Sequence, residues 1–178
     1  LSPPIVEALQ ELQTLTGETI SLSAPADLAL EVLHVTGPDL GIRLVIEVGT
    51  RLALWGTAIG TAYLTTIADP TIRSMYRRTE ATDTPPAVSF RTATAAIRRA
   101  RENDGIAFAE SAVVPDVGAV STALPDGLAA RRLIVSVGGP ATRIRARRDE
   151  IEDALRGWLD RLAEQARPAP PRRRAARG

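Results

Sequence analysis

The sequence predicts an α+β domain in which helices pack on a β-sheet. Strand-like segments, with apolar side chains at every second position, occur both before and after a central block with helical periodicity. Helical periodicity also occurs near both ends of the chain. With 178 residues, the chain is long enough to bury an ordinary core as a single domain. Strands on both sides of a helical block favour a sheet that is covered by helices.

Composition excludes several classes of protein. An apolar fraction of 44% and a mean hydropathy of −0.01 are typical of a soluble globular protein. No apolar run approaches the roughly 20 residues of a transmembrane helix. The absence of cysteine excludes disulfides, thiol nucleophiles and thiolate metal sites. Because a signal-peptide pattern is also lacking, we expect a cytoplasmic protein.

Charge is distributed unevenly along the chain. Five of the 22 basic residues, all arginine, lie in the last 12 positions, so residues 1–166 carry 17 arginines against 21 acidic residues, a net charge of −4. A mildly acidic body is a poor nucleic-acid surface. The sequence predicts a folded domain at 1–166 and a disordered Arg/Pro-rich tail at 167–178. The Arg172–Arg174 run can contact DNA or anionic lipid through charge alone, although a solvated tail is the commoner case.

In the first part of the chain, one helix and three strands are predicted. Ile5, Leu9 and Leu12 form one stripe of a helix that Gly17 ends. The strands are predicted at 19–23, 28–35 and 42–48. The third strand is predicted from apolar residues at every second position, namely Ile42, Leu44, Ile46 and Val48.

Helical periodicity then dominates the middle of the chain, and strands return after it. A turn within residues 54–64 is predicted to open into a helix that runs to about Ile67. Further helices are predicted from Asp69 onward and at about 91–103, with a loop at 79–87 between them. Further strands are predicted at 106–108, 117–124 and 132–138, with the Pro-Asp-Gly sequence at 125–127 as a turn. A final helix is indicated by Ile151, Leu155, Trp158, Leu159 and Leu162.

Residues 54–64, Leu-Trp-Gly-Thr-Ala-Ile-Gly-Thr-Ala-Tyr-Leu, are the best candidate for a ligand site. Backbone amides at a helix start are unpaired and lie at the positive end of the helix dipole, so such a turn can hold a carboxylate without a basic side chain. The alternative is a close helix–sheet contact that requires small residues, and spacing alone favours it. Neither the phosphate-loop nor the dinucleotide-binding glycine pattern is present.

Catalytic and metal chemistry find little support in the sequence. His34 is the only histidine, so it has no histidine or cysteine partner for a metal site, and a triad with serine and an acid would be a coincidence. Ser136, on one strand face with Ile134 and Gly138, can bind a ligand or simply a neighbouring backbone group, which is the commoner role. We therefore expect neither an enzyme nor a protein that carries a metal or cofactor.

Four segments, in order, resemble the effector-binding domain of IclR-type transcriptional regulators. Residues 15–22 are similar to the family's Thr-Gly-Glu-Thr entry to the first strand, and residues 48–62 to its Val-Gly-x-Arg lead into a Gly-Lys-Ala helix. Residues 105–107 resemble its Gly-Tyr-Ala strand start, and residues 134–140 its closing Ser-x-Ser-Gly-Pro strand. The resemblance covers about residues 2–165.

The resemblance implies a GAF-like fold, with a central antiparallel sheet and helices packed on it, that binds a small organic or aromatic acid. In full-length members this domain follows a winged helix–turn–helix that binds DNA. The present chain, which begins at Leu1, is therefore expected to be the effector-binding and oligomerisation half of a regulator. It would form a homodimer or homotetramer and reach DNA only through the N-terminal module. The alternative is a free-standing GAF-like sensing or protein-interaction module.

The resemblance implies a ligand site with three parts: backbone amides that hold the acid group, a floor formed by the sheet, and a mouth. The amides of Ala58, Ile59 and Gly60 would hold the acid group. The other site residues would be Val117, Ala119, Ser136 and Gly138 in the floor, and Leu54 and Trp55 at the mouth.

Three positions lack polar groups that family members can carry. Gly138 replaces a strand serine, Ala119 stands where members often have cysteine, and Ala109 stands where an acidic residue can contribute. The loss of these groups predicts an effector larger and less polar than a two- or three-carbon keto acid. A contribution from Glu110 in place of the missing acid would weaken this prediction.

Overall fold

A computed structural model describes residues 3–39 and 41–165, which form an antiparallel sheet of six strands with six helices. The predicted α+β class and the central antiparallel sheet are confirmed. The strands are β1 (Thr19–Ala26), β2 (Ala29–Thr36), β3 (Arg51–Ala53), β4 (Ala107–Glu110), β5 (Val117–Ala123) and β6 (Ile134–Pro140). The helices are α1 (Pro3–Thr16), α2 (Ala58–Thr65), α3 (Asp69–Glu80), α4 (Phe90–Glu102), α5 (Ala141–Ala146) and α6 (Arg148–Gln165). The strands lie in the order β3-β2-β1-β6-β5-β4.

Helices cover both faces of the sheet, and strand alternation divides the core in two. One face, here called the terminal-helix face, receives Ile20, Leu22 and Val135 and packs against α1 and α6. The other, here called the α2 face, contributes Ile134 to a second core beneath α2, α3 and α4. Because successive strand side chains point to opposite faces, the serines between the apolar residues of β1 must lie on the α2 face.

Predicted stripes of apolar residues in the terminal helices are confirmed. Leu9 and Leu12 of α1 and Leu155 of α6 are fully buried on the terminal-helix face. The indole Nε1 of Trp158 donates a hydrogen bond of 2.7 Å to the carbonyl of Ala8, which joins the two helices. Both ends of the described chain are thereby packed on one face of the sheet.

The predicted third strand is wrong. Residues 41–49 form an irregular loop, and the strand that pairs with the outer edge of β2 is the three-residue β3. Side chains at both ends of the loop are exposed, 81% for Ile42 and 65% for Val48. Two side chains hold this part of the loop, where no strand of the described chain pairs with it. Arg143 donates a hydrogen bond to the carbonyl of Ile42, and Thr19 donates one to the carbonyl of Leu44.

Smaller differences concern the chain around β6. Residues 124–133 link β5 to β6, closed by a 2.8 Å bond from the amide of Leu124 to the carbonyl of Leu133, so the Pro-Asp-Gly sequence is only part of a longer connection. Helix α5 follows β6 directly and was not predicted. The expected tail at 167–178 lies outside the described residues. None of the helices in the described residues has the length and apolar character that crossing a bilayer requires.

Candidate functional site

The start of α2 is fixed by a threonine cap. The hydroxyl of Thr57 accepts a 3.1 Å hydrogen bond from the amide of Gly60 and donates a 2.7 Å bond to the carbonyl of Ala53. Because the Gly60 amide has this partner, it is not free for a ligand in this arrangement. The amides of Ala58 and Ile59 remain as first-turn donors, which have no acceptor within a helix.

Gly60 lies directly on the backbone of Leu54. A Cβ atom at position 60 would be only 2.1 Å from the Leu54 carbonyl oxygen. The close-packing explanation for this glycine therefore holds, whether or not an anion binds beside it. The contact brings the first turn of α2 down onto the chain that leads into it.

Beneath α2, a row of serines crosses three strands of the sheet. Ser136 of β6 lies opposite Ser21 of β1 on one side and opposite Ser121 of β5 on the other. The hydroxyls of Ser121 and Ser136 are 2.7 Å apart and hydrogen bonded. Ser21 and Ser136 are 6% and 7% exposed, and Ser121 is fully buried. Burial of this many hydroxyls on one sheet face is unusual without polar partners.

Ser23 extends this polar strip by one row. It lies two residues after Ser21 on β1, and it is opposite Ile134. Its side chain is fully buried, and its hydroxyl has no hydrogen-bond partner among the described residues. An unpaired buried hydroxyl costs about 1–3 kcal/mol in desolvation. Of the four serines, only Ser136 was identified from the sequence. Ser21 and Ser23 are two positions apart in a predicted strand, and this spacing already indicated that they share one face.

The other end of the candidate floor is formed by small residues and covered by the 41–49 loop. Gly138 lies opposite Ala119 in the register, and Val117 follows on the same face of β5. A Cβ atom at position 138 would be 2.8 Å from Cδ2 of Leu44 and 4.0 Å from Cβ of Ala119. The space that a serine side chain would use is therefore filled by Leu44.

Leu54 and Trp55 are held mainly by the helical layer. Both are buried, and the Nε1 of Trp55 donates a 2.9 Å hydrogen bond to the hydroxyl of Thr79 on α3. The ring of Trp55 also packs edge-on against Tyr76, with centroids 4.9 Å apart. Both residues line a cleft of about 570 Å³, together with Pro85 and Pro86. The structure thus groups Trp55 with α3, while Ser136, Gly138 and Ala119 are grouped on the sheet.

Acidic side chains do not contribute to the α2 face of β4. Ala109 lies opposite Ala119, so alternation turns Glu110 to the terminal-helix face. There the carboxylate of Glu110 is 2.5 Å from Nε of Arg145 on α5. Glu110 is therefore not placed to replace the missing acid of the candidate site.

A buried carboxylate lies behind the site and holds its covering loop. Glu18 is 1% exposed and receives two 2.7 Å hydrogen bonds from Arg143 and one of 3.1 Å from Arg147. The hydrogen bond to Glu18 raises the pKa of Arg143. Arg143 also donates a 2.9 Å bond to the carbonyl of Ile42 in the loop, and Arg147 donates a 3.0 Å bond to the carbonyl of Thr16 at the end of α1.

His34 lies on the terminal-helix side of β2, opposite Leu22, and its Nε2 has no hydrogen-bond partner in the described residues. Residues 3–39 and 41–165 contain no group of three or more His, Cys, Asp or Glu side chains that could hold a metal ion. The candidate site residues contribute amides, a hydroxyl and apolar surface, and such groups can bind an anion.

Comparisons with known proteins identify the family and match the fold. Residues 5–165 match the family described as bacterial transcriptional regulator IclR, C-terminal. The effector domain of an IclR regulator from Acinetobacter sp. ADP1 superposes with a TM-score of 0.76 at 23% identity, covering 90% of this chain and 94% of that one. The C-terminal domain of the Escherichia coli regulator KdgR gives 0.72 at 19% identity, with 90% and 94% covered.

Longer regulators match over a part of their length. An IclR-family regulator from Rhodococcus sp. gives a TM-score of 0.75 at 20% identity, with 92% of this chain and 63% of that chain covered. The chain thus spans less than two thirds of this relative. No curated protein matches. The matched family and the solved neighbours are transcriptional regulators, not enzymes.

Proposed function

Because this chain belongs to the IclR family of bacterial transcriptional regulators, whose C-terminal domain it matches over residues 5–165, we propose that it binds a small organic carboxylate as its effector. The observation that carries the proposal is the buried serine row beneath α2, which joins Ser21, Ser136 and Ser121 in register. Ser136 accepts the bond from Ser121, and Ser21 forms no side-chain hydrogen bond among the described residues, so both hydroxyls can still donate to a polar ligand.

In this proposal the carboxylate binds to the start of α2. The amides of Ala58 and Ile59 donate to it, and the positive end of the helix dipole favours its charge. Gly60 acts by allowing α2 to approach Leu54, since its own amide bonds to Thr57. Ser136 supplies a hydroxyl from the floor.

The body of the effector would rest on the small-residue end of the floor. Val117, Ala119 and Gly138 provide apolar surface there, and Leu44 must leave its place beside Gly138 before a ligand can enter. Displacement of Leu44 would open space for a ligand larger than a two- or three-carbon keto acid. Leu54 and Trp55 would contribute to the mouth through the cleft of about 570 Å³ that they line.

Effector binding would act on the arrangement of subunits. We infer that the chain forms homodimers or homotetramers, and that the effector shifts the equilibrium between arrangements that space two DNA-binding modules differently. DNA contact would be made by an N-terminal winged helix–turn–helix. A helix–turn–helix encoded immediately before Leu1 would support this proposal over a free-standing sensing module.

A thermal-shift screen followed by calorimetry tests the effector proposal. A ligand at 100 times its Kd stabilises the folded state by about 2.7 kcal/mol, which for a domain of this size corresponds to a rise in Tm of roughly 5–10 °C. The panel should contain glyoxylate, pyruvate, longer aliphatic acids and benzoates. We expect an aromatic or longer aliphatic acid to bind more tightly than glyoxylate or pyruvate, and tighter keto-acid binding would refute the size inference.

Two serine variants locate the site. Ser136→Ala should weaken the binding of the best acid at least tenfold, because it removes a hydroxyl from the floor. Ser74→Ala is the matched control, since Ser74 is exposed and lies on α3 rather than on the sheet. If both variants bind the acid as the parent protein does, the serine row is not the binding floor.

A further inference from the structure

A cleft between α3 and α4 has no role in the effector proposal. It encloses about 590 Å³, and its lining includes Arg73 of α3 together with Arg91, Arg98 and Arg101 of α4. Asp69 is the one acidic residue in the lining. None of the four buried serines belongs to its lining.

The charge of this region is opposite to that of the rest of the folded body. Residues 69–102 carry seven arginines and four acidic residues, a net charge of +3. The remainder of residues 1–166 carries ten arginines and 17 acidic residues, a net charge of −7. An anionic partner would therefore be drawn to this cleft and repelled by the surrounding surface.

Neighbouring groups hold two of the four guanidinium groups in position. Arg101 donates a 2.8 Å hydrogen bond to Asp69 and a 2.7 Å bond to the carbonyl of Ile67, which closes one end of the cleft. Arg73 lies over the ring of Phe90, 5.0 Å from its centroid. Phe90 in turn packs edge-on against Tyr76, so the ring beneath Arg73 is itself fixed.

Three of the four positive charges, including that of Arg73, have no acidic partner in the described part of the chain and are available to a ligand. Among the described residues, Arg73, Arg91 and Arg98 form no ion pair within 4.0 Å. Arg91 and Arg101 are ten positions apart on α4, a distance of about 15 Å at 1.5 Å per residue. An extended peptide of about five residues has this length.

We propose that this cleft is a docking site for an acidic polypeptide segment with aliphatic side chains. Carboxylates would pair with Arg73, Arg91 and Arg98, and aliphatic groups would contact Phe90 and the half-buried Ala95 between the arginines. A peptide fits better than duplex DNA because the cleft is short and the surrounding body is acidic. The proposal is independent of effector binding.

Fluorescence anisotropy with the complete 178-residue chain tests the proposal. The probe is a fluorescein-labelled hexapeptide, Glu-Leu-Glu-Glu-Leu-Glu, and the comparison probes are the same peptide with Gln for Glu and a 20-base-pair duplex. The double variant Arg73→Gln, Arg98→Gln should weaken binding of the acidic peptide about tenfold. The matched double variant Arg77→Gln, Arg99→Gln removes two exposed arginines from the same helices but outside the cleft lining, and should weaken it less than twofold.

Both doubles retain the C-terminal arginines, so any binding to the tail is common to them. Ala95→Glu, which places an acidic side chain between the arginines, should also weaken binding of the acidic peptide. It provides a second test if the Arg73→Gln, Arg98→Gln variant does not fold. Equal losses from the two doubles, or no binding of the acidic peptide at about 1 mM, would overturn the proposal. So would tighter binding of the duplex with the same dependence on the cleft arginines, which would assign the site to nucleic acid.

Discussion

Gly60→Ala is expected to destabilise the domain although alanine is the better helix former. In an open helix this substitution would contribute about 1 kcal/mol in favour of folding. Here the new Cβ would lie 2.1 Å from the carbonyl oxygen of Leu54. An ordinary contact needs about 3.4 Å, so the first turn of α2 must move roughly 1 Å away from Leu54.

The magnitude follows from these two opposing effects. Overpacking of a well-packed core costs about 1–3 kcal/mol and sometimes more. We expect at least the upper end of that range, because the obstacle is backbone rather than a flexible side chain. After subtraction of the helix propensity, the free energy of unfolding should fall by about 2 kcal/mol or more, and Tm by roughly 4–8 °C.

Gly157→Ala in α6 is the matched control. A Cβ at that position would meet only Nη1 of Arg161, at an ordinary 3.5 Å. The free energy of unfolding should therefore rise by about 0.5–1 kcal/mol. Urea unfolding followed by far-ultraviolet circular dichroism measures both changes. If Gly60→Ala is as stable as the parent or is stabilised like Gly157→Ala, the close approach of α2 to Leu54 is not what requires glycine.

Three further predictions test the site and its surroundings. Leu44→Ala should tighten binding of the effector found by the thermal-shift screen, because the side chain that occupies the space at Gly138 is removed; calorimetry that shows weaker binding would instead make Leu44 a ligand contact. Ser23→Ala should leave the free energy of unfolding unchanged or raise it by up to about 1 kcal/mol, since the buried hydroxyl of Ser23 has no partner among the described residues. Ser121→Ala should lower the free energy of unfolding by about 1 kcal/mol because the bond to Ser136 is lost. Equal losses for the two variants in urea unfolding would contradict this difference. Burial acts to raise the pKa of Glu152, but hydrogen bonds from Arg148 and Asn103 and the nearby arginine charges outweigh it and lower the pKa below the ordinary 4.5. The resulting stabilisation is present above pH 4.5 and is lost as the pH falls through the folded-state pKa. Glu152→Gln should therefore flatten the fall in stability below pH 4.5, while Glu150→Gln, which alters an exposed and salt-screened pair, should change it little.

Local periodicity predicted the regular elements well where one face of an element is apolar and buried. The helix with Leu9 and Leu12 and the final helix with Leu155 and Trp158 are present as expected. The strand predicted at residues 42–48 from alternating apolar residues was wrong. Alternation shows that one face of a segment is more apolar than the other, but a strand also needs a neighbouring strand to pair with. Residues 51–53 occupy the free edge of β2 instead.

The candidate site was predicted in part. The turn into α2, Ser136, Ala119 and Gly138 were identified, and their roles in binding remain predictions. The hydroxyls of Ser21, Ser23 and Ser121 were missed because a serine between apolar strand residues is ordinarily expected to face solvent. Their alignment depends on the register of three strands, and two of those strands are separated by more than 80 residues in the chain.

By itself, the sequence determined the α+β class, the position of the turn before α2 and the resemblance that the family match confirms. These properties depend on residues close together in the chain, whose spacing sets which face each side chain occupies. Only the tertiary structure decided that Gly60 lies on Leu54, that Leu44 fills the space left at Gly138 and that the serines form one buried row. The last two depend on contacts between segments distant in sequence, and the first on how the turn between Leu54 and Gly60 closes. Packing and register set these distances, which local spacing does not determine.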